Sequence, residues 1–243
     1  AWLREPYLPA EGAAAPAKDC GYPTLTDAAV KSNILQAERD QMQLLAHCNG
    51  DAAAAQYIRC CRRAQEETGR AVRDIRPVMI HSQLVRPEQL AEMKELGILP
   101  SFFAAHLWYW GDIHVENFGA RRAASISPLG AAERLGLSYT LHQDTPVIQP
   151  DMLESVWCAV NRVTRSGAVL GPEYRVSPCA ALRAVTANAA YQYRMEGRRG
   201  TLAPGKAADL VLLDRDPTAV PPEDIRGIRV LETIKNGVRV FQA

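Results

Sequence analysis

Four times between residues 43 and 144 a short apolar run ends on a histidine or an aspartate and gives way to a polar turn or helix. The runs are QLLAHC ending at His47, RPVMIHS at His81, GILPSFFAAH at His106, and LSYTLHQD at His142 and Asp144. Runs of this length, rich in apolar and β-branched residues, read as buried strands. Helical spacing fills the gaps, over residues 24–43, 52–72, 87–97, 119–135, 152–165 and 178–194, and the HLWYWGDIH stretch that begins at His106 reads as a loop. Asn49-Gly50-Asp51 supplies a turn and helix cap, Pro87 a helix start, and Gly97 a helix stop. Strands alternating with helices imply an α/β fold with parallel strands joined by crossovers. Parallel strands bring their carboxyl ends to one side, which is where a (β/α) barrel carries its chemistry.

From Gly200 the pattern changes. GTLAPGKAADLVLLDRDP reads as a strand over residues 209–213 between turns. VLETIKNGVRVF reads as a hairpin turned at Asn236-Gly237. We therefore expect a barrel part over residues 1–197 and a small β-sandwich segment over residues 198–243.

Composition excludes several classes. A formal net charge of +1, without a basic stripe, argues against nucleic-acid binding. No apolar run reaches the ~18 residues of a membrane span. Six cysteines occur without a C-x-x-C pair, so a thiolate metal site is not expected and reduced, buried thiols are.

Histidines and a carboxylate at strand mouths are ligand types for a divalent cation. Such a cation lowers the pKa of bound water to ~7, and a nearby carboxylate can carry the proton to a leaving group. Asp144 suits both ligation and proton transfer, with His142 beside it or against substrate. A lone histidine at a strand end is often only structural. The repeated habit at four strand ends favours a shared site.

HCNGDAA, MIHSQLV, HLWYWGDIH, LHQDTPV, VNRVTRSGAVLGPE and GTLAPGKAADLVLLDRDP, in this order, resemble the amidohydrolase superfamily, and within it amidohydrolase family 3 with its N-substituted formamide deformylases. The resemblance implies a (β/α)8 barrel with a small β-sandwich built from both chain ends. It aligns His47 with the metal ligand ending strand five, His81 with that ending strand six, and Asp144 with the strand-eight ligand and general base. His106, Tyr109, Trp110, Asp112 and His114 then fall in the strand-seven loop and shape the substrate pocket. Asp51 and His142 become partners that orient the ligands. The implied cofactor is a divalent metal, zinc by default, with iron or manganese and a one- or two-ion site as alternatives. The implied reaction is hydrolysis of an amide or other non-peptide C–N bond in a small molecule by metal-bound hydroxide.

The superfamily's H-x-H pair of strand one is absent from these residues. The expectation is therefore the C-terminal portion of such an enzyme, roughly strands five to eight. Open sheet edges would then favour aggregation or association into a homo-oligomer, and an inactive fragment or a non-catalytic binding or regulatory homologue is the rival reading. Arg162 and Arg165 read as cations closing a helix before a Gly167 cap, or else as a contact for a substrate carboxylate.

Overall fold

A computed structural model describes residues 1–9 and 19–243. The opening stretch AWLREPYLPAEGAAAPAKDCGYP, rich in Ala and Pro, reads as a loop, and part of it lies outside the described residues. The chain runs α1 (Asp27–Arg39), β1 (Leu45–Cys48), α2 (Asp51–Thr68), β2 (Val78–His81), α3 (Pro87–Leu96), β3 (Leu99–Phe102), α4 (His106–Ala124), α5 (Leu129–Arg134) and β4 (Thr140–Leu141). It continues through α6 (Met152–Asn161), α7 (Pro178–Val185), α8 (Ala187–Gln192), β5 (Leu210–Leu213), β6 (Val230–Lys235) and β7 (Val238–Gln242). This is an α/β fold. The first four strands form a parallel sheet in the order β1-β2-β3-β4, and the last three an antiparallel sheet in the order β5-β6-β7.

Local chemistry sets the boundaries. The Thr26 hydroxyl accepts from Ala29 N–H and opens α1, as the Asp151 and Ser177 side chains open α6 and α7. Gly69 and Gly97, both left-handed, close α2 and α3. Asn236 (φ 51°) and Gly237 (φ 78°) form the expected hairpin turn between β6 and β7. The core lies between the parallel sheet and its helices. Tyr57, Ile58, Cys60 and Cys61 of α2, Leu90 and Met93 of α3, Met79 of β2 and Phe102 of β3 are buried there. The cysteines are free thiols, and Cys48, Cys60, Cys61 and Cys158 are buried. No described helix is long and apolar enough to cross a membrane.

Five expectations need correction. The third strand stops at Phe102, so His106 is not a strand end but the first residue of α4. The stretch HLWYWGDIH, read as a loop, is the body of that helix. The helix expected over residues 119–135 is split: Gly119, at φ 78°, breaks the α4 spiral, and a separate α5 follows. The helix expected over residues 178–194 breaks at Thr186, whose φ −123° and ψ −89° are not helical. Helix α6 ends at Asn161, and Arg162 adopts the left-handed capping conformation itself, at φ 55° and ψ 43°.

Arg162 is the largest fully buried side chain. Its guanidinium donates to the carbonyls of Leu170 (2.7 Å), Ser127 (2.8 Å), Ile126 (2.7 Å) and Ala124 (3.2 Å). It ties the end of α6 to the α4–α5 connection through these four carbonyls.

Candidate metal centre

The parallel register explains which side chains meet. His47, Ile80, Ser101 and Thr140 lie in one row across the sheet. Side chains in such a row share a face, and His142, two residues beyond Thr140, continues it. His81 belongs by register to the next row, opposite Cys48 and Phe102. It leaves the pleat at φ 69°, and Ser82 follows at φ 47°. Left-handed backbone at two successive non-glycine residues costs on the order of 1–3 kcal/mol each and is typical of functional sites. This departure frees the His81 imidazole from strict alternation.

The result is a compact group. His81, His142 and Asp144 each offer one ligand atom, and these atoms all lie within 4.8 Å of one another. The closest approach is His142 Nε2 to His81 Nδ1, 3.2 Å. The His47 ring meets His81 edge-on at 4.6 Å between centroids. His47 is exposed on the free edge of the sheet, and its Nε2 stands 3.4 Å from the Asn49 amide nitrogen. Asp144 is exposed and also left-handed, at φ 55°.

The site extends into α4. His106, Trp110, His114 and Phe118 recur every four residues, which places them on one helical face. His106 lies 5.7 Å from His81 between ring centroids, His114 lies 5.9 Å from His106, and Trp110 packs 5.4 Å from His106. All five histidines of the chain thus form one connected set. The Gln83 amide nitrogen meets His114 Nε2 at 2.8 Å. The Nδ1 atoms of His106 and His114 are buried without a partner.

Burial favours the neutral form of His81, His106, His114 and His142. Desolvation pushes His106 down to about 3, helped by His114, and pushes His114 down to about 4. His142 falls to about 4 by burial first and the neighbouring His81 second. His81 is lowered for the same reason, with His47 adding to the effect. Neutral imidazoles keep a lone pair at physiological pH, which is the form that binds a cation. Two such nitrogens converging with a carboxylate oxygen are a donor set suited to a divalent metal.

The remaining sequence-derived residues lie elsewhere. Tyr109 turns from the histidines to Glu154, with its hydroxyl 3.2 Å from the carboxylate; Glu154 also accepts from Arg226 at 2.6 Å. Burial and the Glu154 charge raise the Tyr109 phenol. Asp112 accepts from the Ser166 hydroxyl (2.6 Å) and backbone N–H (3.1 Å), and these bonds lower its carboxyl. Val163 and Val169 form an isolated antiparallel bridge that closes a 163–169 hairpin, and Asp112 fastens this hairpin to α4 through Ser166. Asp51 is held by Arg86 (2.6 Å) and by the Arg4 N–H (2.9 Å) rather than by an imidazole. Arg165 lies over the Tyr109 ring at 4.9 Å.

Sequence reasoning passed over Ser101, whose hydroxyl lies 2.9 Å from His142 Nδ1, and Phe103, whose ring packs at 4.4 Å from His106 and 5.6 Å from His142. Ser101 carried a readable signal: it is the polar side chain in a wholly buried four-residue strand.

Comparison with known proteins agrees with this geometry. The pattern of the amidohydrolase family matches residues 1–241. An N-substituted formamide deformylase from Arthrobacter pascens is 30% identical over 163 residues, covering 67% of this chain and 30% of that protein. A metal-dependent hydrolase of solved structure from Pyrococcus furiosus superposes with TM-score 0.72 at 26% identity, over 89% of this chain and 41% of its own. A second, from Pyrococcus horikoshii, gives TM-score 0.75 at 23% identity over 91% and 43%. The chain spans about a third of the length of the curated relatives it matches.

Proposed function

This chain belongs to the amidohydrolase family, and from that premise we propose that it carries one side of the metal centre of a hydrolase acting on an amide or other non-peptide C–N bond. The observation that carries the reading is the convergence of His81, His142 and Asp144 within 4.8 Å. These three would hold the cation, with His47 beside them on the exposed side. The expectation of His47, His81 and Asp144 is thereby widened to include His142. Zinc suits this donor set, as do iron and manganese. A cation bound there would supply Lewis acidity, polarising a carbonyl and lowering the pKa of water.

The chain's own residues do the rest. Asp144, exposed at the mouth, would accept a proton from water and return it to the leaving nitrogen. Trp110 and Phe103 wall the site with apolar surface suited to a small substrate's substituent. Asp112, by holding the 163–169 hairpin on α4, would keep that wall in place. The four parallel strands correspond in this reading to strands five to eight of a barrel, and residues 198–243 to its β-sandwich segment. The similarity to the Arthrobacter protein makes N-formyl amines a reasonable first substrate class.

A second reading is a binding or regulatory homologue. It is favoured by the lack of an H-x-H in the chain, which leaves donors on one side only. One experiment separates the two. Metal content of the purified chain is measured after zinc loading, and release of formate or amine from an N-formyl amine panel is followed. Stoichiometric metal, lost in His81→Ala and Asp144→Asn, together with turnover abolished by chelation, supports the hydrolase. Metal without turnover supports the binding homologue, and no metal at all refutes the donor set.

A further inference from the structure

We infer that Ser101 is a positioning residue for His142, switching the proton of its imidazole so that Nε2 can face a cation. The inference rests on the metal-centre reading above. It concerns a residue outside the donor set.

The geometry is specific. Ser101 and Thr140 are register partners on β3 and β4. The ladder runs one step further, because the His142 N–H donates to Phe102 O at 3.0 Å. His142 is therefore fixed on the same face as Ser101, diagonal to it, and its Nδ1 comes within 2.9 Å of the hydroxyl. The opposite ring nitrogen, Nε2, points at His81 Nδ1, 3.2 Å away. One ring edge is held by Ser101 and the other faces the donor group.

The site is shielded. Ser101 is 1% exposed in a strand whose other members are Leu99, Pro100 and Phe102. Phe103, fully buried, packs against His142. A hydroxyl in such surroundings costs free energy unless it is bonded, so an apolar residue would serve packing better. Water cannot easily replace the hydroxyl as the partner of Nδ1.

A hydroxyl both donates and accepts. We assign the cation-free state the arrangement in which Ser101 O–H donates to His142 Nδ1 and His142 Nε2–H donates to His81 Nδ1, which pairs both ring nitrogens of His142 at the observed distances. With a cation, Nε2 must present its lone pair, and the proton must sit on Nδ1. Ser101 then rotates and accepts from Nδ1–H. The bond made by one ring nitrogen sets the state of the other, and the loss of such an orienting partner typically costs ~10–100-fold in metal affinity. A side chain that could only donate would oppose the bound form.

The test uses two variants of nearly equal shape. Ser101→Thr keeps the hydroxyl and Ser101→Val removes it. Zinc affinity is measured by competition with a fluorescent chelator, and the His142 tautomer is read from imidazole nitrogen–proton NMR correlations with and without zinc. The parent and Ser101→Thr should bind zinc within about 3-fold of each other and move the His142 proton from Nε2 to Nδ1 on loading. Ser101→Val should bind about 10–100-fold more weakly while keeping the parent's urea midpoint to within the Thr variant's. Equal zinc affinity in Thr and Val variants, or a His142 proton that stays on Nε2 in the zinc-bound parent, overturns the inference. His142→Ala is the control: weakened zinc binding there with no effect in Ser101→Val discards Ser101's role alone, whereas unchanged zinc binding in His142→Ala removes His142 from the donor set and the inference with it.

Discussion

Replacing Arg162 by Met should destabilise the fold more than removing a residue from the metal centre does. The guanidinium is fully buried and bonds four carbonyls at 2.7–3.2 Å. Hydrogen bonds to a charged group contribute about 1.5–3 kcal/mol each, a gross 6–12 kcal/mol for four. Burying the cation takes back several kcal/mol, and the same burial lowers its pKa to about 10. Methionine fills much of the volume but orphans the acceptors, so the net loss should be about 3–5 kcal/mol, the range for breaking a buried charged network. With a urea slope near 3 kcal/mol per M, the midpoint should fall by about 1–2 M in equilibrium unfolding followed by circular dichroism. Arg162→Lys, with three donors on a flexible stem, should recover only part of the loss. A midpoint shift under about 0.3 M for Arg162→Met would refute the reasoning, since it would mean the carbonyls find other partners at no cost. Loss of substrate affinity with unchanged stability would instead return Arg162 to the role of a substrate contact.

Three further outcomes follow from the same geometry. Gly50→Ala places a Cβ 1.8 Å from Trp2 O, and no flexible side chain can yield there. The amino-terminal segment should lift from α2, read as faster proteolysis before residue 10 and a stability loss of about 1–3 kcal/mol. Asp112→Ala releases Ser166, and hydrogen exchange in the 163–169 hairpin should rise with little change in global stability; unchanged exchange would count against its fastening role. Asp27 is held at about 2, chiefly by its bonds to Arg59 and then Gln56. Its folded pKa lies below the ordinary 3.8, so its contribution is present above about pH 4 and is lost as pH falls through about 2. Asp27→Asn should flatten the acid limb of the stability curve between those values, by no more than about 1 kcal/mol for so exposed a group.

Much of the architecture was legible because local rules and tertiary structure agree. The alternation of apolar runs and helical spacing marked the four parallel strands, since strands covered on both faces must be short and apolar. Pro87, Gly97 and Asn236-Gly237 marked ends that backbone geometry demands. The polar strand ends at His47, His81, His142 and Asp144 pointed to a common mouth, because parallel strands share a direction.

The misreadings have a common origin. Helix α4 has no side-chain cap at Ala105, and aromatic and polar residues surround it on every side. It is helical because Phe103, Trp157 and the small cluster around Leu3 and Phe118 pack on different faces, and no single periodic stripe records that. Arg162 read as a helix-closing cation or a substrate contact because one sequence cannot show which carbonyls lie around it.

Residue order alone determined that imidazoles and a carboxylate would stand at the ends of parallel strands, since alternation and strand direction are local properties. The folded chain decided which nitrogens face one another. His81 enters the group by leaving the pleat, and His142 meets Ser101, 41 residues earlier, through register across the ladder. Such choices depend on register across the ladder and on space left by packing, and neither is encoded within any one segment.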